Sequence, residues 1–175
     1  AIMARIRWGL VSTARINRKI IPAIRESERG ELVAVASRSA DKAESYAKKW
    51  GIPSFFGGYE EMITSGKVDA VYISLPNHLH AAWSIKALQS GVHVLCEKPL
   101  ASSLEEVDAM ITASREHGCV LAEAFMYRHH PQTRRVVEWV RSGKVGEISL
   151  IRGTFHFQLP KKQRQADNLN VRLVP

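Results

Sequence analysis

Two cysteines in 175 residues, Cys96 and Cys119, are too few for a disulfide framework, which excludes a small secreted domain stapled by bridges. A reduced, cytoplasmic compartment is the expectation. No uninterrupted apolar run approaches the roughly 20 residues that a spanning helix needs, so a membrane-spanning chain is excluded as well. The opening Ala1-Ile2-Met3-Ala4-Arg5-Ile6-Arg7-Trp8 lacks the apolar core of a secretory signal. Acidic residues are also scarce: 17 Asp and Glu face 25 Lys and Arg, for a net charge of +8. The excess is local. Residues 1–30 carry seven basic and two acidic groups, residues 161–175 four and one, and the long middle balances at fourteen each. A nucleic-acid interface concentrates basic and aromatic side chains on one face, so a basic opening and a ragged tail speak instead for an anionic small ligand. At 45% hydrophobic and 24% charged residues the composition is that of a folded globular protein, not of a disordered or collagen-like one.

What is present alternates between two periods. Residues 4–11, 32–37, 70–75, 92–96 and 120–122 are short, apolar and rich in Val, Ile and Ala, as strands buried on both faces are. Between them run amphipathic stretches at 15–28, 41–50, 59–65, 78–89 and 104–117. Gly30, Gly51, Gly66, Gly91 and Gly118 follow these stretches, where a left-handed residue ends a helix. Ser103 with Glu105 and Glu106 marks a helix start. Repeated strand–helix–strand units with short connections predict an α/β fold, a doubly wound parallel sheet of the Rossmann type, over residues 1–124. Residues 125–175 follow a different pattern: a helix at 131–141, a long alternating strand at 147–159 and a basic, aperiodic tail. Some 50 residues of this kind cannot bury a core of their own. They are expected to be the start of a second α/β domain, for substrate and dimerisation.

An open parallel sheet binds ligands at the carboxyl ends of its strands. The first strand–helix turn reads Trp8-Gly9-Leu10-Val11-Ser12-Thr13-Ala14-Arg15-Ile16-Asn17. A dinucleotide fingerprint wants G-x-G-x-x-G, so that backbone N–H groups approach a pyrophosphate closely at a helix N-terminus. Here Ser12, Thr13, Ala14 and Asn17 offer small residues but no glycine, and an ordinary strand–helix turn is an equal reading. The second strand ends in Ser37-Arg38-Ser39 with Lys42 one turn on. No acid stands there to repel a 2′-phosphate, and a guanidinium is available to fork onto one. NADP(H) is therefore favoured over NAD(H). Leu75-Pro76-Asn77-His78-Leu79-His80 and Cys96-Glu97-Lys98-Pro99-Leu100 leave the same sheet edge and would flank a nicotinamide. Lys98 is the candidate for chemistry, an ammonium able to polarise a carbonyl or relay a proton. Glu97 would bond a ribose or orient Lys98.

Glu97-Lys98-Pro99, Pro76-Asn77-x-x-His80 and Ser37-Arg38 resemble the glucose–fructose oxidoreductase and inositol dehydrogenase-like family. The opening 7–16 and Glu123-Ala124-Phe125-Met126-Tyr127-Arg128-His129-His130-Pro131 resemble its branch of dihydrodiol and D-xylose NADP dehydrogenases, in which glycine-poor first turns occur. The resemblance implies NADP held by Ser12, Thr13, Ala14, Arg15, Ile16, Ser37, Arg38 and Lys42. The nicotinamide end would lie near Leu75, Pro76, Asn77, His80, Glu97 and Lys98. It also implies hydride transfer to or from a sugar-like alcohol or carbonyl, Lys98 as the catalytic residue, a cis peptide before Pro99, and a homo-oligomer when complete.

Family members run to about twice this length, with a later proton donor. The chain is accordingly expected to be a partial form that binds cofactor without turning over. Other readings are a regulatory protein that binds NADP without reacting, and Lys98 as a Schiff-base nucleophile. Seven histidines raise the question of metal, but the pairs His78/His80 and His129/His130 lack the spacing of a zinc site. No metal, nucleic acid or membrane partner is expected.

Overall fold

The computed structural model describes residues 4–154 and 156. Six strands, β1 (Ile6–Val11), β2 (Gly30–Ala36), β3 (Ser54–Phe56), β4 (Ala70–Ile73), β5 (His93–Cys96) and β6 (Leu121–Glu123), form one sheet in the order β3-β2-β1-β4-β5-β6. All five pairings are parallel. Helices α1 (Asn17–Glu26), α2 (Ala40–Trp50), α3 (Tyr59–Thr64), α4 (His80–Gln89) and α5 (Leu104–Glu116) fill the connections. This is the doubly wound α/β sheet expected from the alternation, and the order reverses between β1 and β4.

Burial on both faces explains why the strands read as continuous apolar runs. Val11, Ala34, Ala36, Val71, Ile73, Val94 and Cys96 pack with Met62, Ile63, Ala87, Leu88 and Ala113, from α3, α4 and α5. Their neighbours Leu10, Val35 and Tyr72 point the other way, onto Ile21, Ile24 and Ala47 of α1 and α2. Successive side chains on a strand point to opposite faces, so one apolar run feeds two cores.

Helix boundaries follow local chemistry. Ser39 caps α2 by accepting from Lys42 N, and Ser103 caps α5 by accepting from Glu106 N at 3.2 Å. Gly51, Gly66, Gly91 and Gly118 take positive φ after their helices, as anticipated. Gly30 does not: it opens β2. Strand β3 has no counterpart in the sequence reading, because three half-exposed residues are too few to display a period. Residues 77–79 form a 3-10 turn ahead of α4, which shortens the stretch expected from 78.

The chain divides into two compact units, Ala1–His129 and His130–Pro175. In the second, α6 (Pro131–Arg141) matches its expected range, with Pro131 at its first turn and the His130 ring accepting from Gln132 N. The strand expected at 147–159 is corrected: residues 147–154 and 156 are not strand, and 155 and 157–159 lie outside the described residues. Alternating side chains make a strand only where a neighbour takes up the backbone N–H and C=O groups, and no pairing strand occurs in this unit among the described residues. The basic tail also lies outside them.

Strand β1 shifts register against β2 between Trp8 and Gly9. A Cβ on Gly9 would lie 2.9 Å from Val68 Cγ1 and 3.0 Å from Met62 Sδ. Gly9→Ala should therefore cost about 1–3 kcal/mol of stability through overpacking. Urea denaturation reads this directly; an unchanged midpoint would show that Val68 and Met62 give way.

Candidate functional site

The carboxyl ends of β1, β2, β4 and β5 bring the expected site residues to one edge of the sheet. Ser12 follows β1, Ser37 and Arg38 follow β2, Leu75 to Asn77 follow β4, and Glu97 and Lys98 follow β5. Ser12, Ser37, Leu75 and His80 are buried; Arg15, Ile16, Arg38, Lys42, Pro76, Asn77 and Lys98 are exposed; Thr13, Ala14 and Glu97 lie between.

With β1 ending at Val11 and α1 starting at Asn17, the fingerprint glycines fall on Ser12, Ala14 and Asn17. Ser12 adopts φ 125, a region that side chains other than glycine rarely enter. Its Oγ accepts from Ala14 N at 3.1 Å and lies 2.8 Å from Ser74 Oγ. Asn17, fully buried, donates from Nδ2 to the Ser12 carbonyl at 2.8 Å and accepts from Ser74 Oγ at 2.6 Å. Burial pushes the Tyr46 hydroxyl's pKa up, and a hydrogen bond with Asn17 works against that shift.

A dinucleotide fits this turn by the donors it leaves open. Helices α2 and α5 are capped by their own serines, whereas α1 has no side-chain cap and no acid in its first turn. The N–H groups of Thr13, Arg15 and Ile16 have no acceptor among the described residues. Unpaired donors at the positive end of a helix dipole suit phosphate oxygens. Beside them, Thr13, Asp41, Lys42, Ser45, Tyr46 and Lys49 line a cavity of about 390 Å³. Lys49 escaped the sequence reading because only the helical turn brings it beside Lys42. Arg38 stands beside the Tyr59 hydroxyl, whose pKa burial raises and Arg38 partly lowers again.

The segment around Lys98 is held at every turn. The Lys98–Pro99 peptide is cis, as the family resemblance implied. Tyr72 donates to Glu97 Oε1 at 2.5 Å, and Lys98 N donates to Glu97 Oε2 at 3.2 Å. Leu100 N donates to Glu123 Oε1 at 2.9 Å. His80 sits with Nδ1 2.7 Å from the Pro99 carbonyl and Nε2 2.8 Å from the Leu75 carbonyl, 1% exposed. Its ring thus bridges the two loops, touching a backbone carbonyl of each. Tyr72 and Glu123 also hold this edge: Tyr72 sits inside β4, where the apolar run marks it for packing, and Glu123 stands in the sequence only as part of a family motif with no site role. Tyr72 and Glu97 also line an apolar cavity of about 420 Å³, with Ile16, Ile20, Ala122 and Phe125. Cys96, at the same strand end, has its thiol pKa pushed up to about 12, chiefly by burial.

A family described as oxidoreductases with an NAD-binding Rossmann fold matches residues 6–125. This chain belongs to that family. A D-xylose 1-dehydrogenase (NADP+) from Haloferax volcanii is 44% identical over 154 residues, covering 87% of this chain and 47% of its own. A trans-1,2-dihydrobenzene-1,2-diol dehydrogenase from Danio rerio is 34% identical over 152 residues, covering 86% and 46%. The crystal structure of a 3-ketoreductase from Actinomadura kijaniata, with TDP-benzene and NADP, superposes with a TM-score of 0.73 at 38% identity, covering 79% of this chain and 44% of that one. The chain spans about half the length of the curated relatives it matches.

Burial, then the bond to the Glu97 carboxylate and its charge, holds the Tyr72 hydroxyl's pKa well above its usual value. A hydroxyl whose folded pKa is raised stabilises the fold below its unfolded pKa near 10, and that contribution is lost as pH rises further. Stability should fall above about pH 10, and less steeply in Tyr72→Phe. At neutral pH the same variant should lose about 1.5–3 kcal/mol, the scale of a hydrogen bond to a charged group. Urea unfolding across pH measures both.

Proposed function

We propose that this chain is the cofactor-binding half of an NADP-dependent oxidoreductase that interconverts an alcohol and a carbonyl on a sugar-like substrate. The observation that carries this reading is the tethered Lys98 turn at the carboxyl edge of the family's dinucleotide-binding sheet. Glu97, Pro99 and Leu100 are all held by neighbouring side chains, and the exposed Lys98 is left to present its ammonium.

Bound nicotinamide supplies the hydride chemistry. The chain's own residues bind, orient and move a proton. Thr13, Arg15 and Ile16 offer backbone N–H groups to the pyrophosphate, with Ser12 and Ala14 shaping the turn. Ser37, Arg38 and Lys42 take the 2′-phosphate: a hydroxyl and two cations stand where an NAD-selective site keeps an acid. Leu75, Pro76 and Asn77 flank the nicotinamide end, and His80 fixes their loop to Pro99. Lys98 donates its proton to the substrate oxygen as carbonyl becomes alcohol and takes one back in the reverse direction. Glu97 accepts from Tyr72 and from the Lys98 N–H, which fixes the backbone from which the ammonium projects. The part beginning at residue 125 reads as the start of the domain that would supply the rest of the substrate pocket.

The choice of NADP is supported by the named specificity of the xylose dehydrogenase relative and by the ligand of the 3-ketoreductase crystal structure. Calorimetric titration with NADPH and NADH tests it. Arg38→Ala should weaken NADPH binding tenfold or more, about 1.4 kcal/mol, and leave NADH binding unchanged. Equal affinity for both cofactors in the unaltered chain would overturn the choice.

A further inference from the structure

The hydrogen bonds around Ser12 have a direction that chemistry fixes. The Ser12 carbonyl can only accept, so the Asn17 amide nitrogen must face it and Oδ1 must face Ser74. Asn17 Oδ1 can only accept, so the single Ser74 hydroxyl proton goes there. Ser74 Oγ is then an acceptor toward Ser12, whose single proton goes to Ser74, with Oγ at 2.8 Å and the carbonyl at 3.2 Å as its acceptors. Ser12 Oγ is left to accept from Ala14 N–H. The result is one closed circuit of residues: Ser12 O–H to Ser74, Ser74 O–H to Asn17 Oδ1, Asn17 N–H back to the Ser12 carbonyl. All three residues are buried: Asn17 at 0% exposed, Ser12 and Ser74 at 8% each.

This circuit sits where the fingerprint would have glycines, and it encloses the one described residue other than glycine with positive φ. A glycine reaches φ 125 without support; a serine does so only when its surroundings hold it there. Buried hydrogen-bond rings reinforce themselves and specify a single geometry. The circuit also takes up Ala14 N–H and so selects which donors of the turn stay open.

We propose that Asn17 and Ser74 are positioning residues of the phosphate turn, closing with Ser12 a hydrogen-bond ring that does the conformational work of the absent glycines and leaves the Thr13, Arg15 and Ile16 N–H groups facing a dinucleotide's phosphates. The part concerning phosphates rests on the function proposed above; the part concerning the turn does not. Asn17 and Ser74 touch no ligand in this account and act through the backbone at residues 12–16.

The test compares Asn17→Ala in two backgrounds, the natural chain and Ser12→Gly, by NADPH titration and by amide hydrogen exchange at residues 13–16. In the natural chain Asn17→Ala should weaken NADPH binding tenfold or more and accelerate exchange. In Ser12→Gly, where the backbone needs no support, the same change should cost threefold or less. A merely structural asparagine would cost the same in both backgrounds, and that result overturns the proposal, as does unaltered affinity and exchange in the natural chain. Ser74→Ala removes one hydroxyl only and carries the same comparison if Asn17→Ala does not fold. Failure of the natural chain to bind NADPH would count against the proposed function instead. Exchange rates alone then decide the ring: acceleration abolished by Ser12→Gly upholds it, and no acceleration sinks it.

Discussion

A parallel sheet delivers the ends of its strands, with their polar backbone groups, into a crowded edge roofed by loops, and those groups need partners there. Here five of the six strand ends extend the ladder by one bond: Ser12 N reaches the Ala36 carbonyl, Ser37 N that of Phe56, Ser74 N that of Val11, Glu97 N that of Ile73, and Ala124 N that of Cys96. Beyond that row side chains take over. His80 meets the Leu75 and Pro99 carbonyls, Glu123 meets Leu100 N, and Ser12 meets Ala14 N. Satisfying this edge and building the site are therefore one problem. The groups that close the edge are fixed, and those left over are Lys98 and the N–H groups of Thr13, Arg15 and Ile16.

Much of this was legible in the chain. The two-period alternation gives the sheet and its helices, because strands buried on both faces must be apolar throughout, and Leu10 and Val11 feed opposite cores. Ser103 with its following acids announces α5 from sequence alone. Glu97-Lys98-Pro99 and Pro76-Asn77-x-x-His80 lie after β5 and β4, at the sheet edge where the sequence expects them. What was hidden depends on distance in sequence. Ser12 and Ser74 are 62 positions apart and Tyr72 and Glu97 are 25 apart, and no local pattern links them. The motif carries His80 but not its burial between the Leu75 and Pro99 carbonyls, which joins two loops that the sequence keeps apart. The alternation over residues 147–154 misled for the converse reason, since a side-chain pattern carries no information about whether a partner strand is there to pair.

The comparisons and the geometry bear on different levels of the argument. Membership of the family follows from residues 6–125 and needs no site. The shared fold with the 3-ketoreductase at a TM-score of 0.73 fixes the scaffold. Neither says how a turn without glycines is held, and that answer comes from the Ser12, Asn17 and Ser74 contacts of this chain. Function on a shared scaffold is decided by such local substitutions more than by the scaffold itself.

Cys96 occupies the position next to Glu97 and two before Lys98, yet its chemistry is of another kind. Burial pushes its thiol pKa up to about 12, which disfavours the thiolate, the form that attacks electrophiles or reacts with peroxide. Burial thus holds the sulfur beside Glu97 in the form that alkylates and oxidises least readily.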